Sequence, residues 1–151
     1  MSLDPFQFFI GTWEGTGQGH SGTSQVERTY RLVLDGRYLQ VESTSTYPPQ
    51  EKNPKGERHQ EIGMISFDKA RGLFVFRQFH GEGFVNQYQS EEIGPERIVF
   101  ATEAIENIPE GWRARETYLI EAPDTFVERF ELAAPGKDFD LYSENRLTRR
   151  A

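Results

Sequence analysis

The sequence predicts an all-β protein: a ten-stranded antiparallel up-and-down β-barrel of calycin type, filling a single domain over residues 1–151. Three observations predict it. Apolar and polar residues alternate with a period of two along most of the chain. Turn residues interrupt that alternation about every 8 to 12 positions. Helical periodicity is nearly absent, so consecutive strands joined by short turns must pair antiparallel, and closing the sheet removes its two edges.

The elements follow in order. Asp4-Pro5-Phe6-Gln7-Phe8-Phe9-Ile10 predicts one helical turn, with Asp4 as cap, Pro5 at the first helical position and the aromatics after it. Strands are then expected at about 11–19, 24–34, 37–46, 57–67, 72–80, 83–91, 96–104, 112–121, 125–133 and 138–148. Tight turns join them at Asp35-Gly36, Ala70-Arg71-Gly72, Gly81-Glu82, Gly94-Pro95, Glu110-Gly111, Pro123-Asp124 and Pro135-Gly136. The richest cluster of breakers, Tyr47 to Gly56, reads as one exposed loop.

Composition fits a barrel better than a solid core. The chain holds 12 Phe, 2 Trp and 6 Tyr, yet only 36% of it is hydrophobic and the mean hydropathy is −0.68. A barrel of this strand number can line its interior with mixed polar and aromatic side chains. Three expected inner faces show that mixture: Val26, Arg28, Tyr30 and Leu32; Trp112, Ala114, Glu116, Tyr118 and Ile120; Phe126, Glu128, Phe130 and Leu132. Each carries one ionisable group in mid-strand, namely Arg28, Glu116 and Glu128. An unpaired charge there is costly, so these groups are expected to pair across the interior or around a ligand. The 13 Arg against 4 Lys point the same way, with Arg28 and Arg146 expected to face inward and pair.

Other classes are excluded or disfavoured. A net charge of −7 argues against sequence-independent nucleic-acid binding. No apolar run approaches the roughly 20 residues of a membrane-spanning helix. Without cysteine there are no disulfides, thiolate nucleophiles or Cys-based zinc sites. No Ser sits in a strained elbow. The first ten residues carry Asp4 and lack a basic, then apolar, leader pattern, so a cytoplasmic location is expected. Aromatic residues on outer strand faces are compatible with a homodimer.

The sharpest motif is Gly11-Thr12-Trp13-Glu14-Gly15-Thr16-Gly17-Gln18-Gly19. A glycine-rich phosphate loop needs a following helix, and none follows here. Gly11-x-Trp13 after a short helical turn resembles instead the opening of the calycin superfamily, the lipocalins and fatty-acid-binding proteins. That resemblance implies that Trp13 closes one barrel end with Gly11, and that a basic residue of the last strand, Arg146, packs on its face. Within the superfamily the chain is most similar to the nitrobindin-like haem-binding β-barrels. His59-Gln60-Glu61-Ile62-Gly63-Met64-Ile65 resembles that family's H-x-E-x-G-x-I strand, and the hairpins through Gly83-Phe84-Val85 are similarly spaced. The family's proximal haem ligand is a His on the last strand. This chain has no His after His80, and the best register places Tyr142 there.

The leading functional expectation is binding of a small, partly apolar molecule in the barrel, without catalysis. The residues expected to hold it are Arg28, Tyr30, His80, Glu116, Tyr118, Glu128 and Tyr142, with Arg28 meeting a ligand carboxylate. Two alternatives stay open. One is a haem barrel, because tyrosinate can ligate ferric haem, although no cofactor is required. The other is a small enzyme using an interior Glu (Glu42, Glu61, Glu116 or Glu128) as general acid or base. His20 reads as a rim residue. His59 and His80 lie on neighbouring strands and could combine with Glu61 around a metal, but three scattered histidines seldom do, and no metal site is expected.

Overall fold

The structure, a computed structural model, describes residues 3–151. Its ten strands are β1 (Gly11–Gly19), β2 (Gly22–Val33), β3 (Tyr38–Tyr47), β4 (Glu57–Asp68), β5 (Leu73–His80), β6 (Val85–Ile93), β7 (Arg97–Glu106), β8 (Arg113–Ala122), β9 (Thr125–Ala133) and β10 (Asp140–Arg149). Each pairs antiparallel with its sequence neighbours, and β10 pairs with β1 to close the barrel. All ten expected strands are present. Their ends move by up to a few residues where glycines decide the turn. β2 starts at Gly22 because its φ of +101° completes a two-residue turn at His20-Ser21. Gly83, also at +101°, delays β6 to Val85.

The glycine run of β1 serves that closure. A Cβ on Gly15 would run into the backbone carbonyl of Arg146, and one on Gly19 into that of Tyr142. Only glycine lets β1 approach β10 so closely, which accounts for the motif without any phosphate.

One end of the barrel is plugged. Asp4–Phe9 forms a single 3-10 turn that lays Phe6 and Phe9, each 2% exposed, across the opening. Pro5 fits the turn's first residues, where no N–H partner is needed. Trp13 is fully buried beneath and donates its indole N–H to the Phe9 carbonyl at 2.8 Å. Its ring meets Phe126 edge-on at 4.7 Å. Phe6 meets Phe74 in the same way at 5.0 Å.

The basic residue on Trp13 is Arg149, not Arg146. Arg149 lies directly opposite Trp13 in the β1–β10 ladder, with its guanidinium 4.3 Å from the indole centre. It donates to the carbonyls of Ile10 at 2.8 Å and Phe8 at 2.6 Å, so it ties the plug to the last strand. Gly11 leaves it room: a Cβ there would meet the Arg149 guanidinium at 3.0 Å. Arg146 stands an odd number of positions away, so period two turns it outward, where it pairs with Glu121. The expectation for Arg146 therefore fails on both counts, facing and partner. Most other arginines likewise pair across strands on the outer surface, as Arg129–Glu144 and Arg115–Glu131 do.

Candidate functional site

The end opposite the plug is open and holds a cavity of about 440 Å³. That volume suits a small organic molecule, for which pockets run to roughly 300–1,000 Å³. Its floor is polar and its mouth apolar. Phe84, Ile105, Ile108, Trp112, Phe130 and Leu132 supply the apolar wall.

The floor is built by strand alternation. Arg28 (β2), Glu116 (β8) and Glu128 (β9) all face inward at mid-strand and are 3–4% exposed. Arg28 donates to Glu128 at 2.8 Å, to Ser43 at 3.0 Å and to Tyr30 at 3.3 Å, and its guanidinium stands 4.0 Å from Glu61. Asn145 adds a second donor to Glu128 at 2.9 Å. Burial alone would raise the Glu128 carboxyl. The Arg28 charge and the hydrogen bonds from Glu116, Arg28 and Asn145 outweigh it and hold Glu128 down at about 2. Glu116 moves the other way: burial, then the neighbouring Glu128 charge, pushes it well above the usual carboxylate range. Its Oε2 meets no hydrogen-bond donor among the described residues, consistent with a protonated carboxyl that shares its proton with Glu128.

A second network crosses β4, β5 and β6. The Gln78 amide donates to Glu61, and its carbonyl accepts from the Tyr88 hydroxyl at 3.1 Å and from His80 Nε2 at 3.0 Å. Asn86 donates to Tyr88 at 3.1 Å. His80 Nδ1 faces His59 Nε2 at 3.3 Å, and His59 Nδ1 reaches Glu82 at 2.6 Å. Burial, and then the nearby His59, lower the His80 imidazole to about 4, so it stays neutral near pH 7. Burial raises Glu61, and Arg28 only partly offsets that.

The residues expected to bind a ligand divide into three groups. His80, Glu116, Glu128 and Tyr142 line the cavity. Arg28 lies behind them as the counter-ion of Glu128, so it is not free to meet a ligand carboxylate. Tyr30 and Tyr118 face inward but one layer deeper, packed on Phe9 at 5.4 and 5.7 Å between ring centres. They belong to the plug's aromatic core, because period two reveals the face of a residue and not its height in the barrel. Tyr142 sits at the rim, at a bulge in β10, with its ring stacked on His20 at 4.9 Å. Gln78 and Asn86 were not anticipated as lining residues, yet each is two residues from an inward neighbour, His80 and Tyr88 respectively. Trp112, expected on the inner face with Glu116, lines the cavity, whereas Ile108 lies in the β7–β8 turn, where no periodicity marks it.

The description that matches this chain is that of the "THAP4-like, heme-binding beta-barrel domain" family, over residues 2–149. Among solved structures, Rv2717c from M. tuberculosis is similar at 16% identity, with 99% of this chain and 97% of that chain covered and a TM-score of 0.74. A fluorescence-activating β-barrel designed de novo is similar at 13% identity, 98% and 99% coverage and a TM-score of 0.51. EF1p2_mFAP2b bound to DFHBI shares 12% identity, 95% coverage of both chains and a TM-score of 0.50. At such identities the likenesses show the fold alone. No curated protein matches the chain.

Proposed function

The chain belongs to the THAP4-like, heme-binding β-barrel family, and from that premise we propose that it holds a small, partly apolar molecule in the open end of its barrel. The observation that carries this reading is the cavity of about 440 Å³ between a polar floor and an apolar wall. The lining also indicates the ligand's charge. Glu57, Glu61 and Glu82 contribute to it besides the protonated Glu116 and the Arg28-paired Glu128, and among the described residues no Lys or Arg lines it, so a neutral or cationic molecule is favoured over a carboxylate.

The residues present do not fit haem well. The iron of a bound haem takes four nitrogens from the porphyrin and needs an axial protein donor. β10 carries no histidine, and Tyr142 at the expected place is stacked on His20 and packed edge-on against Phe130 at 5.8 Å. His59 Nδ1 is held by Glu82 and His80 Nε2 by Gln78, and the remaining nitrogens face each other at 3.3 Å on β4 and β5, not on the last strand where the resemblance places the axial donor. A propionate-bearing ligand would also meet an acidic lining.

The test uses Nile red, a neutral apolar probe, on the purified full chain, alongside native mass spectrometry for a co-purified adduct. Saturable one-to-one Nile red binding is expected, weakened at least ten-fold by Trp112→Asp, whose side chain sits at the mouth and is 38% exposed. Hemin should give no shifted Soret band. Nile red binding that is absent, or indifferent to Trp112→Asp, would sink the reading. A Soret shift abolished by Tyr142→Phe would replace it with the haem alternative.

A further inference from the structure

Three side chains of the cavity converge on one point. His59 and Glu61 are two residues apart on β4 and share its inner face, and His80 is Glu61's direct partner across β4–β5. His80 Nδ1 lies 3.3 Å from His59 Nε2 and 3.7 Å from Glu61 Oε2. One ligand atom from each residue fits within a 4.8 Å span. Donors at neighbouring corners of a tetrahedron, around an ion held at about 2.0–2.2 Å, stand roughly 3.3–3.6 Å apart. The two separations through His80 are close to those edges, and His59 and Glu61 lie within 4.8 Å of each other.

The hydrogen bonds behind these groups determine which atoms are free. Gln78 gives its amide N–H to Glu61, so its carbonyl must accept, and it accepts from His80 Nε2 at 3.0 Å. The Asn86 amide stands farther from that nitrogen, at 3.4 Å, so the shorter bond assigns the His80 proton to Nε2 and a lone pair to Nδ1. His59 Nδ1 lies 2.6 Å from the Glu82 carboxylate and donates to it, which leaves a lone pair on Nε2. In these tautomers two lone pairs face one another at 3.3 Å, and a cation between them would satisfy both. A carboxylate behind one histidine and an amide carbonyl behind the other are the supports that orient metal-binding imidazoles. Glu61 turns its other oxygen toward Arg28 at 4.0 Å, so a single carboxylate serves both neighbours. The acidic lining favours a cation at this depth.

We propose that His59 Nε2, Glu61 and His80 Nδ1 bind one divalent transition-metal ion of the zinc type, with an open coordination position facing the cavity. Two His and one carboxylate are a donor set that such ions accept with water or a ligand in the remaining place. The three donors all come from the protein, so this is a site for a bare ion and not for the iron of a haem. The proposal goes beyond the small-molecule reading, and the ion does not need an organic ligand to bind.

The experiment is a titration of tag-free, chelator-treated full chain with Co²⁺, followed by its visible d–d absorption, and then with Zn²⁺. One Co²⁺ per chain is expected, with the strong bands of a four-coordinate ion and displacement by Zn²⁺. Glu61→Gln and His80→Gln should abolish the bands. Glu82→Gln, at a rim side chain 46% exposed, should keep the fold and weaken binding by about 10–100-fold. Circular dichroism and thermal unfolding check that each variant is folded. Absence of the bands in the wild-type chain, or bands that survive a folded His59→Gln/His80→Gln double variant, would overturn the proposal.

Discussion

Replacing Glu116 with Gln should stabilise the protein at neutral pH and do little in acid. Glu116 is 3% exposed, beside a Glu128 that is already ionised against Arg28, and burial with that neighbouring charge raises its pKa. In the unfolded chain a Glu ionises above about 4.3. A group whose folded pKa is raised contributes stability below the unfolded pKa and loses it as pH rises toward the folded one. Each pH unit climbed within that window costs the wild type about 1.4 kcal/mol, because folding must return the proton to Glu116. Gln keeps an N–H to give Glu128 and has no proton to lose. The two proteins should differ by no more than about 1 kcal/mol near pH 4, the cost of exchanging one hydrogen-bond donor for another. Above that, the difference should open in favour of Glu116→Gln at about 1.4 kcal/mol per pH unit until Glu116 ionises in the folded wild type. Urea unfolding at stepped pH from about 4 to 7, followed by tryptophan fluorescence, measures it. A difference that stays flat across that range, or that turns against the variant as pH rises, would refute the assignment of a neutral Glu116.

Two further outcomes concern the ion pairs. Arg28→Met leaves Glu128 buried without its counter-ion and should cost about 3–5 kcal/mol at neutral pH. Because Arg28, with the hydrogen bonds of Glu116 and Asn145, depresses Glu128 to about 2 against the effect of burial, the stabilisation from Arg28 is present above the unfolded carboxyl pKa, and the penalty seen in urea unfolding should shrink as pH falls from ~4.3 toward 2. At the plugged end, Arg149→Gln removes the guanidinium from Trp13 and from two carbonyls and should cost about 2–4 kcal/mol in thermal unfolding, whereas Arg146→Gln, on the surface, should cost about 0–1 kcal/mol. Equal effects of the two substitutions would contradict the observed geometry.

The strands were legible because each hairpin is written locally, in two-residue alternation and a turn. The inner faces followed from the same period, and so Arg28, Glu116 and Glu128 were found together. Arg149 was missed because choosing between it and Arg146 requires the register of β10 against β1, and nothing local specifies a pairing of residue 13 with residue 149. Tyr30 and Tyr118 were assigned to the pocket because alternation carries no information about height along the barrel axis. The convergence of His59, Glu61 and His80 was partly visible, since two residues share a face of one strand and the third lies on the next. What the sequence could not supply was the tautomer of each imidazole. That depends on Gln78 and Glu82, whose roles emerge only once the strands are in register.

The β1–β10 seam also has a kinetic meaning. Every other pairing in the barrel joins strands adjacent in sequence and can form within a hairpin, at small loop-closure cost. The seam alone must bring together the two extremes of the chain, so it carries the largest loop-closure cost of any pairing in the barrel. Until it forms, β1 and β10 are both open edges, and β1, with its alternating glycines, is a weak template for a foreign strand. The same glycines that allow closure thus leave an unpaired β1 few side chains through which a foreign strand could pack.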